Sequence, residues 1–460
     1  MQHIGIGIVS LLLYIGAIIL FNMVLKRKMG EAMMWSCILL WIVGVFFGGK
    51  DPVKFGTDGI MYAISQEVVY AGLAFVFMAY IMERTGIIGR LVNILNAFLG
   101  RLPGGAGYVA TIGCALFGMV SGVASANTAA IGSVTIPWMK QTGWSKERAA
   151  CVVAGNSGLG NVFPPSTTML LFLAFDSVAK ELNGSQLYIG LMSVGIVALI
   201  IRLGVVWYFA KKEGLKGLPS DQIQPISKAL KENGSALILF LGVALPLLAT
   251  MGPTGEIVKA MMAPIKGGFK SISLILWIPM LITFFSILEG WKSLPHNLKG
   301  WHEMCKSTID RFNELGAILI FAFVSSRMLT KLNLTKEFVA VFQEIANYSP
   351  MLVIFSIAII LTIMVGPFNS TATTTAMGAA CYAALRTIGL PPVACAVAFI
   401  NLVSNQGCVP PNSAPIYIGC GIAGVEEPTK LFKELVYFYA LPEVILSILV
   451  MMQVLPVAGA

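Results

Sequence analysis

Small oxygen-bearing side chains gather at two places in an otherwise apolar chain. The first group is Ser121, Ser125, Asn127 and Thr128, followed by Asn156, Ser157, Asn161 and Ser166. The second is Asn369, Ser370, Thr371, Thr373, Thr374 and Thr375, followed by Ser404, Asn405, Gln406 and Asn412. Each group ends at a proline pair, Pro164-Pro165 and Pro410-Pro411. Hydroxyls, amide oxygens and backbone carbonyls are hard, neutral donors, and several converging on one point suit a hard cation such as Na⁺. Gly158, Gly160 and Gly407 allow close backbone approach. Na⁺ ligands are expected among Ser125, Asn127, Gly158, Thr371, Thr373 and Asn405, within one chamber for Na⁺ and substrate lined by both groups. Close packing of membrane helices would explain any one of these residues alone. Two clusters at matched positions beside two helix breaks favour a site.

Other chemistries find little support. The eight cysteines are scattered, mostly inside apolar runs, with no CxxC, and His3, His296 and His302 have no metal-ligand spacing. A transition-metal centre is therefore not expected. GNSGLG lacks the Lys-Ser/Thr of a phosphate loop, and HExxH, GxSxG and DDxxD are absent. No enzymatic activity and no cofactor beyond a coupling ion are expected. The net charge of +9 sits in short loops between apolar runs, a pattern of membrane topology, not of nucleic-acid binding.

The elements holding the clusters are set by the bilayer. The 460 residues are 57% hydrophobic and 12% charged, with mean hydropathy +0.82. Soluble domains carry roughly twice that charged fraction. The sequence predicts an all-α polytopic membrane protein with spans near 4–25, 33–48, 60–82, 149–179, 187–209, 235–251, 271–289, 313–330, 392–424 and 435–455. Residues 4–25 read as a retained first span, not a signal peptide. Stretches 108–138 and 351–386 carry polar residues at their centres and read as re-entrant helical hairpins. Segments 86–101 and 335–347 are amphipathic and read as helices lying in the interface. Lys and Arg then favour one side by about two to one, which makes that side cytoplasmic and puts both termini outside. Glu67, Asp176, Arg202, Glu289, Arg327 and Glu443 are ionisable residues in or near spans, and none is assigned to substrate.

Residues 121–167 align without a gap on 367–413, an offset of 246 (410 − 164). Ala126, Thr128, Gly132, Gly143, Pro164 and Pro165 fall on Ala372, Thr374, Gly378, Gly389, Pro410 and Pro411. The same offset pairs the amphipathic segments. Two repeats follow, 1–235 and 236–460, each with three spans, an interfacial helix, a hairpin, a broken span and a last span. Five spans per repeat is odd, so the repeats are expected to be inverted. Backbone freed by a proline break survives at membrane depth only where protein, water or ligand satisfies it. Half-helix amino ends suit anions and carbonyl ends suit cations. Two breaks and two hairpin tips near the midplane thus predict a secondary transporter.

The stretch FGMVSGVASANTAAIGSVTIPWMKQTGWSKERAACVVAGNSGLGNVFPPST resembles the hairpin and broken helix of the large membrane subunit of TRAP (tripartite ATP-independent periplasmic) transporters, of the ion-transporter superfamily. LGRLPGG before it and VPPNSAP with GIAGVEE near the end fit the same family, over about residues 60–455. The resemblance implies an elevator mechanism in which hairpins and broken spans move against a scaffold of the other spans. It implies Na⁺-coupled uptake of a small organic anion, a carboxylate or sulfonate, in a bacterial or archaeal inner membrane. It also implies two partners, a small four-span membrane subunit and a periplasmic binding protein. The alternative is a binding-protein-independent symporter or exchanger of the same superfamily. The chain departs from the family where acidic residues often stand at the hairpin tips, with Asn127 in the first and Asn369-Ser370 in the second.

Overall fold

A computed structural model describes residues 5–121, 124–217, 223–250, 252–265, 268, 273–366, 368–410 and 413–459. Among the described residues the ordered elements are all helices. Helices Met29–Phe46, Gly184–Lys212, Ile226–Thr250 and Thr429–Met451 are each long and apolar enough to cross a membrane. Two bent pairs qualify when each is taken as one span. Several other expected spans are shorter apolar helices or are broken.

Both hairpins form. Helix Gly105–Ser121 packs on Ala124–Gln141, and Pro350–Val365 packs on Ser370–Thr387. Both expected broken spans are broken. The first runs Lys146–Asn156, Leu159–Val162 and Thr167–Leu173; the second runs Pro392–Val403, a 3₁₀ turn Ser404–Gly407, and Ala414–Ala423. The first restarts because Ser166, extended after the prolines, accepts the Met169 N–H at 3.1 Å as a side-chain cap. Both amphipathic segments are helical, Ile87–Leu99 and Leu334–Tyr348. Each starts from a left-handed residue that ends the preceding long helix, Gly86 at φ +67° and Asn333 at φ +66°. Gly has no Cβ penalty there, and Asn tolerates the conformation best among the rest.

Three helices depart from the expected set: Pro52–Ser65, Gly252–Met262 and Leu298–Ser307. The first shortens the span placed at 60–82. Gln66 is extended (φ −77°, ψ 118°), so a new helix begins at Glu67. The polar run Ser65-Gln66-Glu67 inside an apolar stretch is the sequence signal for this break.

The broken spans form the centre of the molecule. Every residue from 148 to 172 and from 393 to 408 is buried, polar ones included. Around them lie the hairpins and helices Gly184–Lys212 and Leu441–Met451. Packing crosses between halves: Ala124–Gln141 lies on Ala414–Ala423, and Ser370–Thr387 lies on Thr167–Leu173. Outside this body, Ile309–Lys331 packs on Met29–Phe46, Pro52–Ser65 and Glu67–Arg84, while Leu274–Glu289 packs on Glu67–Arg84 and Leu241–Thr250. The amphipathic helices are tied to this outer set. Glu337 accepts the N–H groups of Gly5, Gly7 and Ile8 at 2.9–3.1 Å, capping the first helix. Arg90 pairs with Glu289 at 2.7 Å, and Ser235 donates to the same carboxylate at 2.6 Å.

Candidate functional site: the crossing of two broken helices

The two breaks touch. A methyl group on Gly158 would stand 1.8 Å from the Ser404 carbonyl oxygen, and one on Gly407 would stand 2.2 Å from the Ala154 carbonyl. No residue but glycine allows this approach. Gly158 and Ser404 are also matched by the 246 offset (404 − 158). Gly160 meets Gly118 of the first hairpin with equal closeness: a methyl group on Gly160 would stand 2.2 Å from the Gly118 Cα.

Hydrogen bonds carry the crossing outward to both hairpins. Asn127, on the first return helix, donates to the Cys114 carbonyl at 2.8 Å and to the Ser157 carbonyl at 2.9 Å. Asn161 donates to the Ser370 hydroxyl at 2.8 Å. Ser370 donates in turn toward the Gln406 side-chain oxygen (2.8 Å) and the Val403 carbonyl (2.9 Å). Asn369 caps the second return helix by accepting the Ala372 N–H at 2.7 Å. Thr128 and Thr374, matched by the offset, each donate to the carbonyl four residues back, Ala124 and Ser370. Asn156 turns to the first inbound helix and donates to the Thr111 hydroxyl at 2.9 Å.

What these bonds leave over is informative. The side-chain oxygens of Asn127, Asn156, Asn401 and Asn405 and the hydroxyls of Thr168 and Thr373 are buried without a hydrogen-bond partner. Asn127 and Thr373 are matched by the offset (373 − 127 = 246). Buried polar atoms are nearly always satisfied, so orphan oxygens on both broken spans and both return helices call for an explanation, a cation among them. The donor set is neutral oxygen throughout, which fits Na⁺, and no group of His, Cys, Asp or Glu among the described residues could hold a transition metal.

Of the expected chamber residues, the structure brings Asn127, Asn156, Ser157, Gly158, Asn161, Ser370, Ser404, Asn405 and Gly407 to the crossing or its bonded neighbours. Ser166 lies one turn off as a helix cap, donating to the Asn161 carbonyl at 2.7 Å. Thr371 and Thr373 are buried on the second return helix. Ser125 is half-buried and faces an open cleft. The Ser121 side chain, Pro411 and Asn412 lie outside the described residues. Thr111, which accepts from Asn156, joins the site without having been expected there, and Thr168 and Asn401 on the broken spans carry further orphan oxygens. Asn401 was findable, since it stands four residues before Asn405 along the same broken span.

Charge within the body is paired. Arg202, on Gly184–Lys212, is 1% exposed and binds Glu443, also 1% exposed, at 2.9 Å. Its other arm donates to the Gly155 carbonyl at the first break and contacts the Cys408 sulfur of the second at 3.7 Å. At the hairpin bases, Lys140 donates to the Ala423 carbonyl at 3.0 Å. Its offset partner Arg386 binds Glu181 at 2.8 Å. The Tyr382 hydroxyl foremost, and Arg386 with it, hold the Glu181 carboxyl below its usual range.

The cleft separates the hairpins in kind. It encloses about 620 Å³ between the first return helix (Ser125, Ala126, Ala129, Ser133, Val134) and the outer residues Ala79, Glu83, Gly86 and Gly89. The second return helix packs on Ile309–Lys331 and Leu334–Tyr348 instead.

Comparison with known proteins agrees with this architecture. A gonococcal protein, MtrF of Neisseria gonorrhoeae, described within a class of antimetabolite efflux pumps, shares the fold with TM-score 0.64 at 13% identity, over 92% of this chain and 95% of its own. The isethionate TRAP transporter permease DctMQ of Oleidesulfovibrio alaskensis is 30% identical over 175 residues, 38% of this chain and 27% of that protein. The large permease UehC of an ectoine/5-hydroxyectoine TRAP transporter from Ruegeria pomeroyi is 24% identical over 233 residues, 49% of this chain and 54% of that protein. The matched stretches thus span about a quarter to a half of these relatives' length, and both are permeases, not enzymes. The family model for the DctM component of tripartite ATP-independent periplasmic transporters matches residues 9–457. This multi-pass membrane protein belongs to the DctM family of tripartite ATP-independent periplasmic transporters.

Proposed function

We propose that the chain is the large permease of a Na⁺-coupled uptake system for a small organic anion, a carboxylate or sulfonate. A periplasmic binding protein delivers the cargo and a small four-span subunit completes the membrane part. The observation that carries the cation reading is the set of orphaned, buried, neutral oxygens on the broken spans and return helices, Asn127 and Asn405 beside the crossing and Thr373 on the second return helix. A Na⁺ ion placed among them supplies the positive charge that a bound carboxylate or sulfonate needs, because Arg202 is already neutralised by Glu443.

In this reading the two halves are inverted repeats of about ten spans in all, in an inner membrane with both termini outside. The contact of offset partners Gly158 and Ser404 supports a pseudo-two-fold axis through the crossing. The moving body holds the hairpins, the broken spans and, through Arg202 and Glu443, the helices Gly184–Lys212 and Leu441–Met451. The rest is scaffold, to which Glu337 and Arg90 fasten the amphipathic helices. The cleft beside the first hairpin and the packed second hairpin correspond to an elevator stopped with its cytoplasmic side open.

Reconstitution tests the function. Liposomes holding the chain with its small subunit are given a Na⁺ gradient and candidate cargo, with and without the binding protein. Na⁺-dependent uptake that needs the binding protein is the expected result. Uptake by the chain alone would support the self-sufficient carrier, and uptake indifferent to Na⁺ would refute the cation reading.

A further inference from the structure

We propose that Arg202 is a positioning residue of the cation site: it fills the carbonyl pole at Gly155 itself and so confines the coupling ion to the Asn127 and Asn405 side of the crossing. This inference rests on the Na⁺ reading above.

The end of helix Lys146–Asn156 places its last carbonyls within the buried body, and such an end attracts a cation. The structure supplies partners at this end and in the turn just beyond it. Ala154 accepts the Ser157 hydroxyl at 2.7 Å, Ser157 accepts Asn127 at 2.9 Å, and Gly158 accepts the Asn161 N–H at 2.9 Å. The Gly155 carbonyl is different, because its partners are the Arg202 guanidinium and the Cys408 thiol at 3.2 Å. A permanent cation thus sits on the pole where a mobile one would otherwise bind. Its charge is cancelled by Glu443, so the pair adds no net positive charge to repel Na⁺ nearby.

The same group fixes the geometry of both breaks. Arg202 reaches Gly155 in the first and Cys408 in the second. Glu443 lies on the helix whose Ala440 carbonyl accepts Asn405 at 3.5 Å and whose Glu443 carbonyl accepts Asn401 at 3.2 Å. Asn401 and Asn405 are thus oriented by the helix that Arg202 clasps, and both leave their side-chain oxygens free. A planar guanidinium with a fixed fork can span these partners, and an ammonium cannot.

The test uses the purified full-length chain and Na⁺ as the probe. Thermal unfolding is followed against Na⁺ concentration, with choline keeping ionic strength constant. Two variants are compared with the parent: Arg202→Lys, and the double replacement Arg202→Met with Glu443→Met. The double variant leaves no buried charge unpaired, and such replacements are often tolerated. The expected result is a Na⁺ midpoint raised at least fivefold in both, with the double variant folding normally in choline. Parental midpoints in a folded Arg202→Lys or double variant would overturn the inference and reduce Arg202 to a structural ion pair. A parent chain whose unfolding ignores Na⁺ would overturn the cation reading itself, and this inference with it.

Discussion

The return helices of the two hairpins, Ala124–Gln141 and Ser370–Thr387, are built alike and covered differently. Both follow a polar tip and carry a threonine bonded one turn back, Thr128 and Thr374. Both end in a cation clipped at the base, Lys140 and Arg386. Yet Val134 is 43% exposed where its offset partner Ala380 is 2% exposed, and Ala126 is open where Ala372 is 1% exposed. The contrast belongs to what lies beside each helix: a cleft for the first, Ile309–Lys331 and Leu334–Tyr348 for the second. Two similar surfaces, one bare and one sheathed, are what the proposed moving body would present in one of two positions. Under the proposed elevator this difference is one state of the molecule, and the covering is exchangeable between the halves.

The largest expected contrast is all-or-none. On the proposed inverted arrangement the end of the first return helix lies inside and that of the second outside. A cysteine at Gln141 should resist impermeant thiol reagents in intact cells, while one at Thr387 should react. The reverse pattern would turn the molecule over and make the cleft face the periplasm.

A wedge comes next. Ala129 faces the cleft, and its offset partner Thr375 is buried. Ala129→Trp should leave folding intact and lower uptake at least tenfold by holding the cleft open. Thr375→Trp should instead destabilise the chain by about 1–3 kcal/mol through overpacking. Uptake and melting temperature, measured on both, separate the two effects. Normal uptake by Ala129→Trp would mean that the cleft never closes.

Smaller effects are expected at the matched pair Asn127 and Thr373. Thr373→Ala removes a hydroxyl that has no protein partner, so stability should hardly change while the Na⁺ needed for half-maximal uptake rises about threefold to tenfold, on the order of 1 kcal/mol. Asn127→Ala also strips the donor from two buried carbonyls and should cost about 1–3 kcal/mol of stability besides. Unchanged Na⁺ dependence in both would remove these side chains from the ligand set.

The smallest effect concerns the base of the second hairpin. The Glu181 carboxyl is held below its ordinary range, chiefly by Tyr382, so its stabilising contribution is complete above the unfolded value of about 4.3 and fades as pH falls through the lowered folded value. Glu181→Gln should lower stability near neutral pH by no more than about 1 kcal/mol, as for other exposed pairs. The gap between variant and parent should close as the solution is acidified toward about pH 3. A gap that widened on acidification would contradict the assignment.

Much of this was legible in the sequence because its signals are local. Two prolines and a run of hydroxyls inside an apolar stretch can only be a break, and the 246 offset ties the two breaks together without reference to structure. The amphipathic helices followed from spacing alone. The pairing of Arg202 with Glu443 was not legible, since 241 residues separate two groups that each look like a snorkelling charge. Nor was the division among the amides, because which oxygen of Asn127 or Asn405 stays free depends on donors brought by distant helices. The unequal covering of the hairpins was least accessible of all. Sequence repeats encode what the halves share, and a conformational state is what they do not.

The central claim, that hairpins and broken spans move as one body against the scaffold, is tested most directly by distances during turnover. After Cys305→Ser removes the one exposed thiol among the described cysteines, spin labels are placed in pairs at Val134 with Met61, and at Val134 with Thr387. The account predicts that the Val134–Met61 distance shifts by on the order of 10 Å, a sizeable part of the roughly 30 Å hydrocarbon core, when Na⁺ and cargo are supplied. The Val134–Thr387 distance should stay fixed, because both positions ride on the same body. A constant Val134–Met61 distance through active uptake, or a large change within the Val134–Thr387 pair, would contradict it.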